Sequence, residues 1–178
     1  MRRVCVFCGA SPGNDVTYSQ IARKTATTLA GLGYGIVFGG GRVGLMGVLA
    51  NAALEAGAEV IGVIPESLAR REIAHDGLTK LHVVESMHVR KALMADLSDA
   101  FIAIPGGYGT MDELCEIITW AQLGIHDKPV GLLNAGGFYD DLLRLFDHMR
   151  DAGFVSAQNR GLLKDAADIE SLALAMKL

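Results

Sequence analysis

Ala100-Phe101-Ile102-Ala103-Ile104-Pro105-Gly106-Gly107-Tyr108-Gly109-Thr110-Met111-Asp112-Glu113 is the stretch on which the reading of this chain turns. The apolar run from Ala100 to Ile104 reads as a strand buried on both faces, and Pro105, lacking a ladder amide, ends it. Gly106, Gly107 and Gly109 let backbone N–H groups turn toward one point without Cβ obstruction. Thr110 then falls where the N-cap of a helix belongs. The free amides and positive dipole end of a helix start stabilise an anion. No lysine follows the last glycine, so this is not the triphosphate P-loop, and a monophosphate is the natural guest.

The same strand, loop and helix alternation extends outward in both directions. Val- and Ile-rich runs read as strands at Arg3 to Cys8, Gly35 to Phe38, Glu59 to Ile64, Leu81 to Val84 and Pro129 to Leu133. Helical spacing marks Val16 to Leu32, Leu45 to Ala56, Met87 to Leu97, Thr110 to Leu123 and Phe138 to Ala152, with a last helix at Asp168 to Met176. Continuous apolar strands alternating with helices predict an α/β fold: one doubly wound, Rossmann-like domain over residues 1–178, its mostly parallel sheet flanked by helices. Ligands of such a sheet sit at the carboxyl ends of its strands. The least regular segment, Glu66 to Thr79, carries Arg70, Arg71, Glu72, His75 and Asp76, and reads equally as a surface loop or as a substrate-edge lid.

Bulk properties narrow the function. The net charge is −4 with no basic stripe, which argues against nucleic acid as the main partner. The apolar run after Arg2 and Arg3 is too short for a signal peptide, and no run is long enough to span a bilayer, so a cytosolic, non-membrane protein is expected. Cys5 and Cys8 form a C-x-x-C. A redox pair would open a helix and a zinc site needs a second ligand pair, so two small apolar residues in a strand is the better reading. Residues three apart in a strand face opposite ways. No His-x-x-x-His or His-x-Glu arrangement appears, and no metal is expected.

A second loop, Gly39-Gly40-Gly41-Arg42-Val43-Gly44, matches G-x-G-x-x-G. A dinucleotide fingerprint also needs an acidic residue ending the next strand. Glu59 would start that strand instead, so a nicotinamide or flavin cofactor fits poorly. Tight turning with close helix packing remains open, as does the preferred reading, a wall of a nucleotide pocket.

Glu113 has two readings at this level. Thr110 and Glu113 have the spacing of a capping box. Alternatively, a carboxylate one turn beyond a bound phosphate would lie near the sugar, where it can stabilise an oxocarbenium-like C1′ or activate water. Met87, Arg90, Lys91 and Met94 share a face of the preceding helix, and Ala92 to Ala95 suggest that this helix is largely buried. Arg90 is placed to pair with Glu113 or polarise a departing base, and Lys91 to add to the phosphate site.

Met87-His88-Val89-Arg90-Lys91, followed by the Pro105 to Glu113 motif, resembles the Lonely Guy family, often labelled lysine decarboxylase-like. The likeness extends to Val6 to Gly9 with Ser11 to Gly13, to Gly39 to Gly47, to Leu81 to Glu85 and to Thr119 to His126. It implies a cytokinin riboside 5′-monophosphate phosphoribohydrolase that hydrolyses N6-substituted AMP, or AMP, without metal or redox cofactor, as a homodimer or larger assembly. It further implies Arg90 and Glu113 as the catalytic pair. Lys91, Gly106, Gly107, Tyr108, Gly109 and Thr110 would bind substrate, Met87 would lie near the base, and Glu72 and Thr119 match substrate-contacting positions less distinctively. Val89 departs from the Glu or Gln common in relatives. The decarboxylase label fits poorly, since pyridoxal-phosphate chemistry needs a Schiff-base lysine in a recognisable site. A non-catalytic nucleotide sensor or carrier on the same fold is the main alternative.

Overall fold

The computed structural model describes residues 1–69 and 73–178. Seven strands form one sheet: β1 (Arg3–Phe7), β2 (Gly35–Phe38), β3 (Val60–Pro65), β4 (Lys80–Val84), β5 (Ala100–Ala103), β6 (Val130–Leu133) and β7 (Leu163–Ala166). Their order is β4-β3-β2-β1-β5-β6-β7, and all six pairings are parallel. The expectation of a mostly parallel sheet thus becomes a wholly parallel one. An isolated antiparallel bridge, Gly41 to Ala74, lies outside the strands. From β1 the chain builds outward in one direction through β2, β3 and β4. It then returns to the other side of β1 for β5, β6 and β7. The topological switch point lies between β1 and β5, in register through Phe7 and Ala103.

The helices are α1 (Val16–Gly31), α2 (Gly44–Glu55), α3 (Glu66–Ala69), α4 (Met87–Asp96), α5 (Tyr108–Gln122), α6 (Asp140–Asp151), α7 (Ala157–Arg160) and α8 (Ile169–Met176). Local chemistry starts several of them. Asp15, Ser86 and Asp168 act as N-caps, accepting from the backbone amides of Thr17, Val89 and Ser171. One apolar layer packs α1, α2 and α8 on the sheet, around Leu29, Leu49 and Leu172. The other packs α4 and α5 on the opposite face, around Met94, Leu114 and Ile117. Cys5 belongs to the second layer and Cys8 to the first, so the C-x-x-C points to opposite faces as its spacing requires. Among the described residues no helix is long and apolar enough to cross a membrane.

Four sequence expectations change. β7, Leu-Lys-Asp-Ala, is an edge strand in which only Leu163 is buried, so it carries no apolar run to announce it. The segment after β3 contains the short helix α3. The helix expected from Phe138 begins at Asp140, after a 3-10 turn at Ala135–Gly137. Finally, α4 is not largely buried. Only Arg90, Met94 and Ala95 are covered, because the helix lies on the sheet by one face.

Candidate active site

A cavity of about 470 Å³ opens at the switch point, within the range of small-ligand pockets. Its walls are the loop after β1 (Cys8 to Gly13), the loop after β5 with the first turn of α5 (Pro105 to Thr110), Gly39 with Leu45 and Met46, and the side chains of Leu68, Arg90, Glu113, Tyr18 and Phe138. Gly9 ties the loops together. Its N–H donates to Pro105 O at 3.3 Å, and its carbonyl accepts from Leu45 N–H at 3.0 Å, at the start of α2.

Helix α5 begins at Tyr108, with Gly107 as N-cap in extended backbone (φ −103°) and no side chain capping it. Thr110 is therefore the third residue of the helix and not its N-cap, because the chain turns at Gly107. The capping box falls with it, since Glu113 is too far along the helix to reach the cap amide. The first helical bond runs from Met111 N–H to Gly107 O at 3.1 Å, so the amides of Tyr108, Gly109 and Thr110 precede it. The Thr110 hydroxyl is buried and has no hydrogen-bond partner among the described residues. A buried hydroxyl at a cavity wall that lacks a partner is one hydrogen bond short, and a ligand oxygen can supply it. Gly106 has to be glycine, because a Cβ there would overlap the Thr110 side chain.

Glu113 binds Arg90 instead of the helix start. Arg90 Nη1 donates to Glu113 Oε1 at 2.9 Å, and Arg90 Nε donates to the Val63 carbonyl at 3.0 Å. Both side chains are about one-tenth exposed. The end of β3 thus fixes the guanidinium, and Gly39 makes room for it, since a Cβ at Gly39 would overlap it. Burial pushes the Glu113 carboxyl above its usual range, and the Arg90 charge and hydrogen bond pull it partly back. Burial also raises the Cys8 thiol at the cavity wall, with Glu113 adding to the shift, so Cys8 stays protonated and is a poor nucleophile.

The structure brings Arg90, Glu113, Gly106, Gly107, Tyr108, Gly109 and Thr110 to one cavity. Three expected positions lie elsewhere. Lys91 Nζ sits 3.1 Å from both Asp112 and Glu116 on α5, outside the cavity walls. Thr119 donates to the Cys115 carbonyl and lines a separate groove with Phe146 and Met149. Met87 is exposed at the start of α4. Glu72 lies outside the described residues. Sequence reasoning from residues alone left out Ser11 to Gly13, Tyr18, Met46, Leu68 and Phe138. Nothing in their local pattern marks them, although the first of these follow the β1 strand at its carboxyl end, where the switch-point rule would have directed attention.

The Gly39 to Gly44 loop combines two of its readings. Gly39 is a cavity wall, while the remainder serves close packing. Gly44 (φ 59°) approaches the Ala10 carbonyl so closely that a Cβ would overlap it. Gly40 O accepts from His75 N–H and Arg42 N–H donates to Ile73 O, so residues 73–75 are clasped onto this loop. Leu45 N–H, one of the first amides of that helix, is taken by the Gly9 carbonyl.

The family model described as "Possible lysine decarboxylase" matches residues 46–176. A cytokinin riboside 5′-monophosphate phosphoribohydrolase of Rhodococcoides fascians is 50% identical over 177 residues, covering 99% of this chain and 89% of that protein. One from Arabidopsis thaliana is 51% identical over 171 residues, covering 96% and 80%. Among solved structures, the X-ray structure of TM1055 superposes with TM-score 0.75 at 23% identity, covering all of both chains. The molybdenum cofactor carrier protein of Chlamydomonas reinhardtii gives 0.73 at 25% identity, covering 99% and 97%. These structural likenesses carry the fold. Among the described residues no lysine lines the cavity, so the decarboxylase description finds no Schiff-base site there. With the motif residues gathered at one cavity and half of all positions shared with such relatives along nearly its whole length, the chain belongs to the Lonely Guy family of cytokinin riboside 5′-monophosphate phosphoribohydrolases.

Proposed function

We propose that this chain hydrolyses the N-glycosidic bond of adenosine 5′-monophosphate or its N6-substituted forms, giving the free base and ribose 5-phosphate. The observation that carries this reading is the buried Arg90–Glu113 pair in one wall of a cavity whose other wall is a glycine-rich helix start. The amides of Tyr108 to Thr110 and the Thr110 hydroxyl hold the 5′-phosphate, and that binding energy places the sugar. Glu113 faces C1′. As the C1′–N9 bond breaks, its electron pair leaves with the base and positive charge develops on the ribose, which the carboxylate stabilises. Water adds its oxygen to C1′ and loses a proton to Glu113, and that proton reaches the departing base. Arg90 keeps Glu113 oriented and charged in a site that otherwise favours its neutral form.

Incubation of the pure protein with AMP should release adenine. Glu113→Gln should lower kcat by about a thousandfold or more while AMP binding persists. Near-normal turnover in that variant would remove Glu113 from the chemistry. Binding without any adenine release in the parent protein would favour the carrier reading. A homo-oligomeric state belongs to the same proposal. It is supported by Leu123 and Ile125, exposed at the end of α5, and is read by light scattering.

A further inference from the structure

The turn after β6 reaches under the phosphate loop, and no motif of the active site includes it. Asn134 organises that turn. Its Oδ1 accepts from Tyr139 N–H and its Nδ2 donates to Asp140 Oδ1, both at 2.7 Å. Two adjacent side chains then diverge. Phe138 lines the cavity edge-on to Tyr18, with ring centroids 5.6 Å apart. Tyr139 turns inward, 3% exposed, and its hydroxyl donates to the Ile104 carbonyl at 2.9 Å. The Gly106 backbone amide acts on the same phenol oxygen, opposing the upward push of burial on its ionisation. Tyr139 therefore holds the chain at Ile104, immediately before Pro105, where β5 hands over to the glycine loop. From the other side, Gly9 N–H holds the Pro105 carbonyl.

We propose that Tyr139 is a positioning residue for the 5′-phosphate grip, its hydroxyl fixing the Ile104–Gly106 turn so that the first amides of α5 converge on the phosphate. The phenol is buried and touches no substrate, so it acts through the loop. This rests on the reading of the Gly106 to Thr110 loop as the phosphate site.

The test is the inhibition of AMP hydrolysis by the two products, measured for the parent enzyme, Tyr139→Phe and Thr110→Val. Ribose 5-phosphate reports the phosphate grip and adenine reports the base pocket. In Tyr139→Phe, the inhibition constant for ribose 5-phosphate and the KM for AMP should both rise about tenfold. The adenine constant and kcat should stay within about threefold. Asn134→Ala, which loosens the turn and leaves the hydroxyl in place, should give the same pattern more weakly. A purely structural tyrosine would lower the melting temperature and shift both inhibition constants together, or neither, and either result overturns the proposal. If Thr110→Val weakens ribose 5-phosphate and Tyr139→Phe does not, only the role of Tyr139 fails. If Thr110→Val leaves it unchanged, the phosphate-loop reading fails and this inference with it.

Discussion

Two glycine-rich loops leave the carboxyl ends of neighbouring parts of the same sheet, and the fold uses them in opposite ways. The loop after β2 is filled by protein. Ala10 abuts Gly44, Gly9 takes the Leu45 amide, and Ile73 and His75 take backbone groups of Arg42 and Gly40. The loop after β5 is left open. Among the described residues, a Cβ at Gly107 or Gly109 would meet nothing within 4 Å, and the Thr110 hydroxyl has no partner. The letters of the two motifs are similar. What separates the two is how much of the loop's backbone the rest of the protein already engages.

The filled loop still borders the proposed catalytic pair at one position, and the largest effect tests that. Gly39 makes room for Arg90, and Arg90 is the charge that keeps the buried Glu113 from rising further. Turnover that depends on ionised Glu113 is present above its folded pKa and is lost as pH falls through it. Because burial raises that pKa above 4.5, the acid limb of kcat/KM should lie above the ordinary glutamate range. Arg90→Met removes the opposing charge, so the limb should move to higher pH. It also breaks a buried pair, at a cost of about 3–5 kcal/mol. Gly39→Ala, which displaces the guanidinium without deleting it, should move the limb the same way by less. A limb that stays put in both variants would mean that Glu113 is not the titrating group.

Glycine substitutions set the two loops directly against each other. Gly44→Ala adds a Cβ onto Ala10 at a positive φ and should cost about 3 kcal/mol or more, a fall in melting temperature of about 10 °C. Gly109→Ala adds its Cβ in open space inside a helix and should gain about 0.5–1 kcal/mol. Thermal melts of the two variants read this directly. Equal melting temperatures would dissolve the distinction between a filled and an open loop.

How much of this was legible in sequence follows from the range of each signal. Continuous apolar runs such as Ile36 to Phe38 and Ala100 to Ile104 mark buried parallel strands, because both faces of the sheet are covered. β7 escapes that signal, since an edge strand covered on one side keeps Lys164 and Asp165. The Arg90–Glu113 contact was legible as a pairing of motifs, but not the Val63 carbonyl and the missing Cβ of Gly39 that fix it. Those partners lie 27 and 51 positions from Arg90 in the chain and meet only when β2, β3 and α4 are stacked. The misplaced N-cap at Thr110 has a local cause. Threonine and glycine are comparable caps, but only threonine offers a capping side-chain oxygen, so attention went to the wrong residue where the backbone had already turned at Gly107.

The smallest effect isolates the open loop itself. Thr110→Val keeps the shape of a 2% exposed side chain and removes the hydroxyl that finds no partner among the described residues. Deleting an unsatisfied buried hydroxyl removes its desolvation penalty, so the free protein should be as stable as the parent or more stable by about 1 kcal/mol. If Thr110 holds the phosphate as proposed, the same change should delete one hydrogen bond to bound AMP and raise KM by about tenfold, with kcat nearly unchanged. The two measurements must move in opposite senses. A destabilised variant with unchanged KM would mean that the hydroxyl supports the loop internally, and the β5 loop would then be as self-satisfied as its β2 counterpart.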